Sequence, residues 1–153
     1  MNTVSTDSDT VLLERNKPVF TLSVASQLSE IPAHSIRQYI DMGLLIPYKL
    51  ESGRNLFSQN DISRLRSIQV LIHKHGLNFA GIRTLMGIVP CWAIRKCPES
   101  DRKVCVASRD SFQPCWEASE KGKLCKNENC RDCKVYQSLD SDAGIKPILN
   151  NLL

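Results

Sequence analysis

The cysteines divide this chain. None occurs in residues 1–90, and then Cys91, Cys97, Cys105, Cys115, Cys125, Cys130 and Cys133 follow within 43 positions. A composition step this sharp marks a domain boundary. The segment beyond it is short and poor in large aliphatic residues, so burial alone does not offset the entropy of ordering it. Something must staple it, and the thiols are the evident means. Seven is an odd number, so an all-disulfide framework leaves one thiol over. In a reducing cytosol, clustered cysteines serve more often as metal ligands or redox groups than as structural bridges.

The rest of the composition sets bounds only. A chain of 153 residues with 42% hydrophobic and 24% charged residues is of ordinary globular make-up. No apolar run approaches the ~18 residues needed to cross a bilayer, so no membrane association is expected. Residues 1–9 carry two Asp and no Lys or Arg, unlike a secretion signal, and a cytoplasmic chain is the expectation. The net charge of +4 is mild: seven basic against four acidic residues in 20–90, ten against seven in 91–136. It permits nucleic-acid binding without arguing for it.

Residues 1–18 are expected to form a loosely attached or disordered tail ending at Pro18. In residues 19–89, helix signals alternate with breakers. A short amphipathic helix over 23–28 offers Val24, Ala25 and Leu28 as its apolar positions. After the turn Ser29-Glu30-Ile31-Pro32, a second helix over 33–42 buries Ile36, Tyr39 and Ile40, with Gly43 suited to its C′ position. Two helices joined by a short turn make a helix-turn-helix. Residues 46–50 and 55–58, either side of Glu51-Ser52-Gly53, form a small hairpin or wing. Ser58 starts the next helix with Asp61 completing a variant capping box. Its stripe is Ile62, Leu65, Ile68 and Ile72, leaving Arg64 and Arg66 on a solvated face. His73 and His75 flank Lys74 at its end and are not assigned as ligands. Asn78 caps a last short helix with Ile82, Leu85 and Met86 inward, stopping at Gly87.

The run Phe20-Thr21-Leu22, Ser35-Ile36-Arg37-Gln38-Tyr39, Gly43-Leu44-Leu45-Ile46-Pro47, Gly53-Arg54-Asn55-Leu56-Phe57-Ser58 and Asp61-Ile62 resembles the MerR-family DNA-binding domain. Arg37-Gln38-Tyr39 and the stretch Gly76-Leu77-Asn78-Phe79-Ala80-Gly81-Ile82-Arg83 are similar to the heat-shock-repressor branch of that family. The resemblance implies a winged helix-turn-helix, a homodimer on two-fold promoter DNA and RNA polymerase as a candidate further partner. Activating members carry a long dimerisation helix after this domain; here Pro90 and Cys91 arrive instead, leaving the dimer element and the sign of regulation open. A recognition helix offers its N-terminal residues to base edges in the major groove, which assigns His34, Ser35, Arg37 and Gln38 to DNA. The family also implies DNA contact from Arg37 and, near the backbone, from Tyr39, whose other role is a core residue with a wet hydroxyl. Lys49, Arg54 and Asn55 are placed for the flanking phosphates. The wing departs from the family's Gly-Tyr-Arg-x-Tyr, its arginine being displaced by one position.

The cysteine half contains Pro-Cys-Trp twice, at 90–92 and 114–116. With Cys130-Arg131-Asp132-Cys133-Lys134-Val135-Tyr136, this is similar to a small bacterial two-CW cysteine module over about residues 90–136. Cys125-x4-Cys130-x2-Cys133 matches part of the plant-type ferredoxin spacing. A structural zinc site would favour two Cys-x2-Cys knuckles, and only Cys130 and Cys133 form one. The expectation is an iron–sulfur cluster, [2Fe–2S] or [4Fe–4S], held by four among Cys91, Cys97, Cys115, Cys125, Cys130 and Cys133. Cys105 is the less expected ligand, at least one of the three non-ligands, Cys105 foremost, being read as a buried core thiol, and the two Trp are read as packing or cluster shielding. Residues 137–153 form a tail with a short amphipathic helix carrying Ile145, Ile148, Leu149, Leu152 and Leu153.

The sequence therefore predicts a mainly α protein: a winged helix-turn-helix over 19–89 followed by a small irregular cysteine-rich module that binds a metal or cluster. The function expected is a DNA-binding transcriptional regulator that senses redox or iron status. The alternative keeps the DNA-binding half and gives the module a structural or sensory zinc or other thiophilic metal. A thiol–disulfide switch comes third. No phosphate loop, nucleophile with a nearby His, or βαβ-linked Cys-x2-Cys is present, and an enzyme is not expected.

Overall fold

A computed structural model describes residues 10–11, 14–110, 112–138 and 144–153. The chain is mainly helical. Helix α1 (Leu22–Ser29) starts at Thr21, whose hydroxyl accepts the Val24 N–H, and stops where Glu30 enters the left-handed region at φ 60°. Its buried residues are Ala25 and Ser29, facing α3. Val24 and Leu28, expected inside, are 37% and 41% exposed. They belong to the neighbouring 24–28 ridge of the helix; packing uses the smaller 25–29 ridge, which lets α3 approach closely. Helix α2 (Ala33–Asp41) buries Ile36 and Tyr39 as the periodicity requires. Gly43 follows at φ +74°, and a Cβ there would collide with the Glu117 carboxylate.

Strands β1 (Tyr48–Lys49) and β2 (Asn55–Leu56) pair antiparallel, Tyr48 opposite Leu56 and Lys49 opposite Asn55. The hairpin is shorter than its sequence suggests. Pro47 has no N–H to contribute, and the Ile46 N–H is used on Tyr136. Phe57 exchanges backbone hydrogen bonds with Phe20, tying the entry of the domain to its wing.

Helix α3 (Gln59–His73) has the expected capping box: the Ser58 hydroxyl accepts the Asp61 N–H while the Asp61 carboxylate accepts the Ser58 N–H. Helix α4 (Phe79–Ile88), capped by Asn78, runs one residue past Gly87. Ile36, Leu44, Leu45, Phe57, Ile62, Leu65, Ile68 and Ile82 are the centre of a single apolar core. Pro90 then ends the regular helices.

The cysteine half is made of short pieces: α5 (Cys91–Ile94), α6 (Glu99–Val104), single 3-10 turns at Val106–Ser108, Cys115–Glu117 and Cys130–Asp132, and α7 (Lys134–Gln137). Helix α8 (Lys146–Leu152) lies near the chain end, where Ile148 and Leu152 share a cleft with Ile94. No helix among the described residues is long and apolar enough to cross a membrane.

The N-terminal segment differs from its expectation where it is described. Arg15 donates to Asn60 and Ser63 on α3, and Asn16 donates to Asp132 at 2.8 Å. Residues 14–18 are therefore tied to both halves rather than loosely attached, because polar side chains there find fixed acceptors. Residues 1–9, 12 and 13 of that expected tail, and 139–143 of the C-terminal one, lie outside the described residues.

Candidate functional site

The DNA-reading face follows from the pitch of α2. His34, Arg37 and Gln38 recur at i, i+3 and i+4 and are exposed together, with Ser35 half-buried beside them. The wing adds exposed Lys49 and Arg54 and half-buried Asn55. Cationic groups from both helix and wing thus project from an otherwise apolar scaffold. Tyr39 is not among the exposed residues. It is 3% exposed, its ring stands edge-on to Phe79 at 5.8 Å, and its hydroxyl accepts a hydrogen bond from the Gln69 amide. Burial raises its pKa above 10, with the Gln69 bond opposing. The fold places it on the inner ridge with Ile36, so the tyrosine assigned to DNA belongs to the core of this structure.

The seven cysteines, scattered in sequence, all line one cavity of about 40 Å³. Cys105, the less expected ligand, is on its wall as well, and Trp92 and Trp116 line the same cavity. Among the described residues no three Cys, His, Asp or Glu side chains close around a single point as for one metal ion; the thiols are spread around the wall. The Cys115 thiol beside Cys91 holds Cys91 down at about 7, and Cys91 in turn, with burial, pushes Cys115 up. Burial, and then the neighbouring Cys97, pushes Cys125 up to about 11, and burial with Cys91 raises Cys97.

Two cations face these sulfurs. Lys121 Nζ lies 3.4 Å from Cys130 Sγ. Arg95 pairs with Glu128 at 3.3 Å, and its Nε–H is buried with no hydrogen-bond partner among the described residues. Burial works against the charge on Arg95, but Cys133, Cys125 and Glu128 outweigh it and raise its pKa. Soft thiolate donors with an unpaired guanidinium N–H beside them fit an anionic, sulfur-ligated group.

Between cavity and DNA-reading face lies a joint that sequence reasoning missed. Arg64, expected in solvent, is 1% exposed. Its Nε donates to Leu44 O and its Nη1 to Tyr136 O, both at 2.8 Å. The guanidinium carbon lies 3.8 Å from the Tyr136 ring centroid and 5.3 Å from that of Trp116. One helical turn back, Asp61 forms a buried ion pair with Arg131 at 2.7 Å, and Arg131 also donates to Ile46 O at 2.7 Å. Tyr136 Oη accepts the Ile46 N–H at 2.8 Å, and Trp116 Nε1 donates to Gly43 O at 2.7 Å. Residues 43–46, the link from α2 to the wing, are therefore held by three side chains of the cysteine half. A signal was available. Position 64 lies three after Asp61 and four before Ile68, on the buried stripe of α3, so spacing argued for burial and only residue type argued against it.

A short helix with a polar outer face, packed on a second helix and followed by a hairpin, defines residues 19–89 as a winged helix-turn-helix. More narrowly, it is a MerR helix-turn-helix domain: residues 20–87 match the family described as MerR HTH family regulatory protein. A Streptomyces coelicolor protein assigned as heat shock protein HspR is 36% identical over 74 residues, covering 48% of this chain and 49% of the relative. The HTH-type transcriptional regulators GlnR of Bacillus anthracis and Bacillus cereus are 35% identical over 72 residues, covering 47% of this chain and 55% of each. The chain thus spans about half the length of the curated relatives it matches, and the family match at residues 20–87 contains no cysteine.

Proposed function

We propose that this protein is a cytoplasmic, sequence-specific DNA-binding transcriptional regulator whose cysteine half holds an iron–sulfur cluster and reports redox or iron status to the DNA-reading helix. One observation carries the reading. All seven cysteines line a single cavity, and two residues of its wall, Trp116 and Tyr136, hydrogen-bond to the backbone between α2 and the wing.

The chemistry follows from the chain's own groups. Arg37, Gln38, His34 and Ser35 present donors and acceptors to base edges, while Lys49, Arg54 and Asn55 set the register on phosphates. A bound cluster would supply a redox couple tuned by hydrogen bonds and solvent exposure around its sulfurs. Arg95 and Lys121 offset the negative charge that thiolates bring into the cavity. Trp92 and Trp116 keep water from its wall. A change of packing there shifts Trp116, Tyr136 or Arg131, and each of these holds residues 43–46. That gives sensor and DNA face a shared element with two arrangements, which coupling requires. Two copies on a two-fold promoter site, with RNA polymerase alongside, complete the reading.

Protein purified without oxygen tests it. Iron and acid-labile sulfide in near-equal amounts, with visible absorption that bleaches in air, are expected. Selection from random duplexes should then return a two-fold sequence whose affinity differs between loaded and bleached protein. Zinc alone, in colourless protein, overturns the cluster and leaves the zinc alternative. Failure to enrich any duplex sequence overturns the regulator.

A further inference from the structure

A cluster of either expected type takes four thiolates, and the cavity offers seven. Two independent features select the same four. The first is in the sequence: the paired Pro-Cys-Trp motifs and the single Cys-x2-Cys contain Cys91, Cys115, Cys130 and Cys133 and no other cysteine.

The second is in the packing. Cys91 opens α5 directly after the DNA-binding half, with its N–H on Val89 O at 2.8 Å. Its thiol and that of Cys115 are electrostatic neighbours. Cys115 precedes Trp116, which reaches Gly43. Cys130 and Cys133 flank Arg131 on one 3-10 turn, closed by Cys133 N–H to Cys130 O at 3.0 Å, and Arg131 reaches Asp61 and Ile46. Cys91, Cys130 and Cys133 are the charge neighbours of Cys115. These four form the inner wall, against the DNA-binding half.

Cys97, Cys105 and Cys125 belong to an outer layer. The segments that carry them bond to one another: Leu124 N–H to the Asp101 carboxylate at 2.9 Å, Val106 N–H to Glu120 O at 3.1 Å. Cys97 has Cys105, Asp101 and Arg95 among its charge neighbours, and this rim sits directly over the inner wall, Cys97 facing Cys91 and Cys125 facing Cys133 and Cys91.

We propose that Cys91, Cys115, Cys130 and Cys133 are the cluster ligands, and that Cys97, Cys105 and Cys125 form an outer rim of free thiols. This rests on the cluster reading above and goes beyond it by separating ligands from bystanders. It also sets aside the ferredoxin-like spacing, which would have used Cys125. The consequence is that two of the three ligand turns, that of Cys115 and that of Cys130 and Cys133, also carry a contact to the recognition-helix link.

Two measurements test it on the full chain. In the first, the loaded protein is alkylated without oxygen, digested and analysed by mass spectrometry. Label on Cys97, Cys105 and Cys125 with protection of the other four is expected. In the second, each cysteine is changed singly to Ser and iron and sulfide are measured beside circular dichroism. C91S, C115S, C130S and C133S should lose both iron and sulfide, and C97S, C105S and C125S should keep them. Protection of Cys97, Cys105 or Cys125 in place of any of the four, in protein that does hold iron and sulfide, overturns the assignment and spares the cluster. Wild-type protein without iron and sulfide overturns both. The alkylation pattern uses unmutated protein, so misfolding of a Ser variant does not blur it.

Discussion

The two halves of this chain reach an ordered state by different means. Residues 20–89 close around twelve buried apolar positions contributed by both helices of the reader, the wing and two supporting helices. Burial of that kind is additive and tolerant, since many contacts share the load. Between residues 90 and 153, only Ala118, Val135 and Tyr136 are buried hydrophobics among the described residues. That half leans on its neighbour through Trp116, Arg131 and Tyr136. The lesson concerns sensitivity. A module with a thin core is the half expected to respond to a change at its cavity, whereas the continuous core of the reader resists one.

The strongest way to break this contrast is Asp61→Ala. It removes the partner of a fully buried guanidinium and half of the α3 capping box, which should cost about 3–5 kcal/mol. Both tryptophans lie in the cysteine half, so their fluorescence reports that half, while far-ultraviolet circular dichroism is dominated by α1–α4. In urea, the fluorescence transition should move to lower concentration than the dichroism transition. Coincident transitions would mean that the halves unfold as one.

A smaller effect is expected from Trp116→Phe, which keeps the ring and leaves Gly43 O without its indole donor. A loss of about 1–3 kcal/mol in unfolding free energy is expected. The same change should reduce the difference in DNA affinity between loaded and bleached protein. Unchanged coupling would exclude Trp116 from the link.

On the reading face, Arg37→Ala should weaken the selected sequence about tenfold or more over random duplex, whereas Arg54→Ala should weaken both alike and lower the salt slope by about one. Equal loss on both duplexes for Arg37→Ala would move that residue from base to backbone contact.

The smallest signal is alkaline. Burial raises Tyr39 and Tyr136 above the ordinary value of 10.0; Gln69 opposes the shift at Tyr39 and the Arg64 charge opposes it at Tyr136. A folded value above the unfolded one means the fold favours the neutral phenol. The stability this brings is full below pH 10 and is lost as the pH climbs through the folded values. In Tyr48→Phe protein, absorbance near 295 nm should rise only above pH 10 and together with loss of helix. Ionisation at pH 10 with helix intact would place these hydroxyls in water.

Much of the reader was legible because each signal is local. The Ser58–Asp61 capping box, the Asn78 cap, Gly43 at positive φ and the inward Ile36, Ile62, Leu65 and Ile68 depend on neighbours within one or two turns. The fold departs from expectation where two local solutions are equally good. Val24–Leu28 and Ala25–Ser29 are both acceptable ridges, and only the approach of α3 decides between them. Arg64 and Tyr39 are polar at the tip and apolar along the stem, so residue type alone does not fix whether they end in the core or in water.

The sequence by itself determined that residues 19–89 form a winged reader, because periodicity, caps and turn residues agree over most of that stretch. It also marked residues 91–133 as a cysteine-rich stretch poor in large aliphatic residues. Only the tertiary structure decided that the seven cysteines share one cavity and that Arg64, Asp61, Arg131, Tyr136 and Trp116 lock that module onto residues 43–46. The reason is distance along the chain. The contacts that join the two halves link residues about 70–90 positions apart, and no local propensity records a partner that far away.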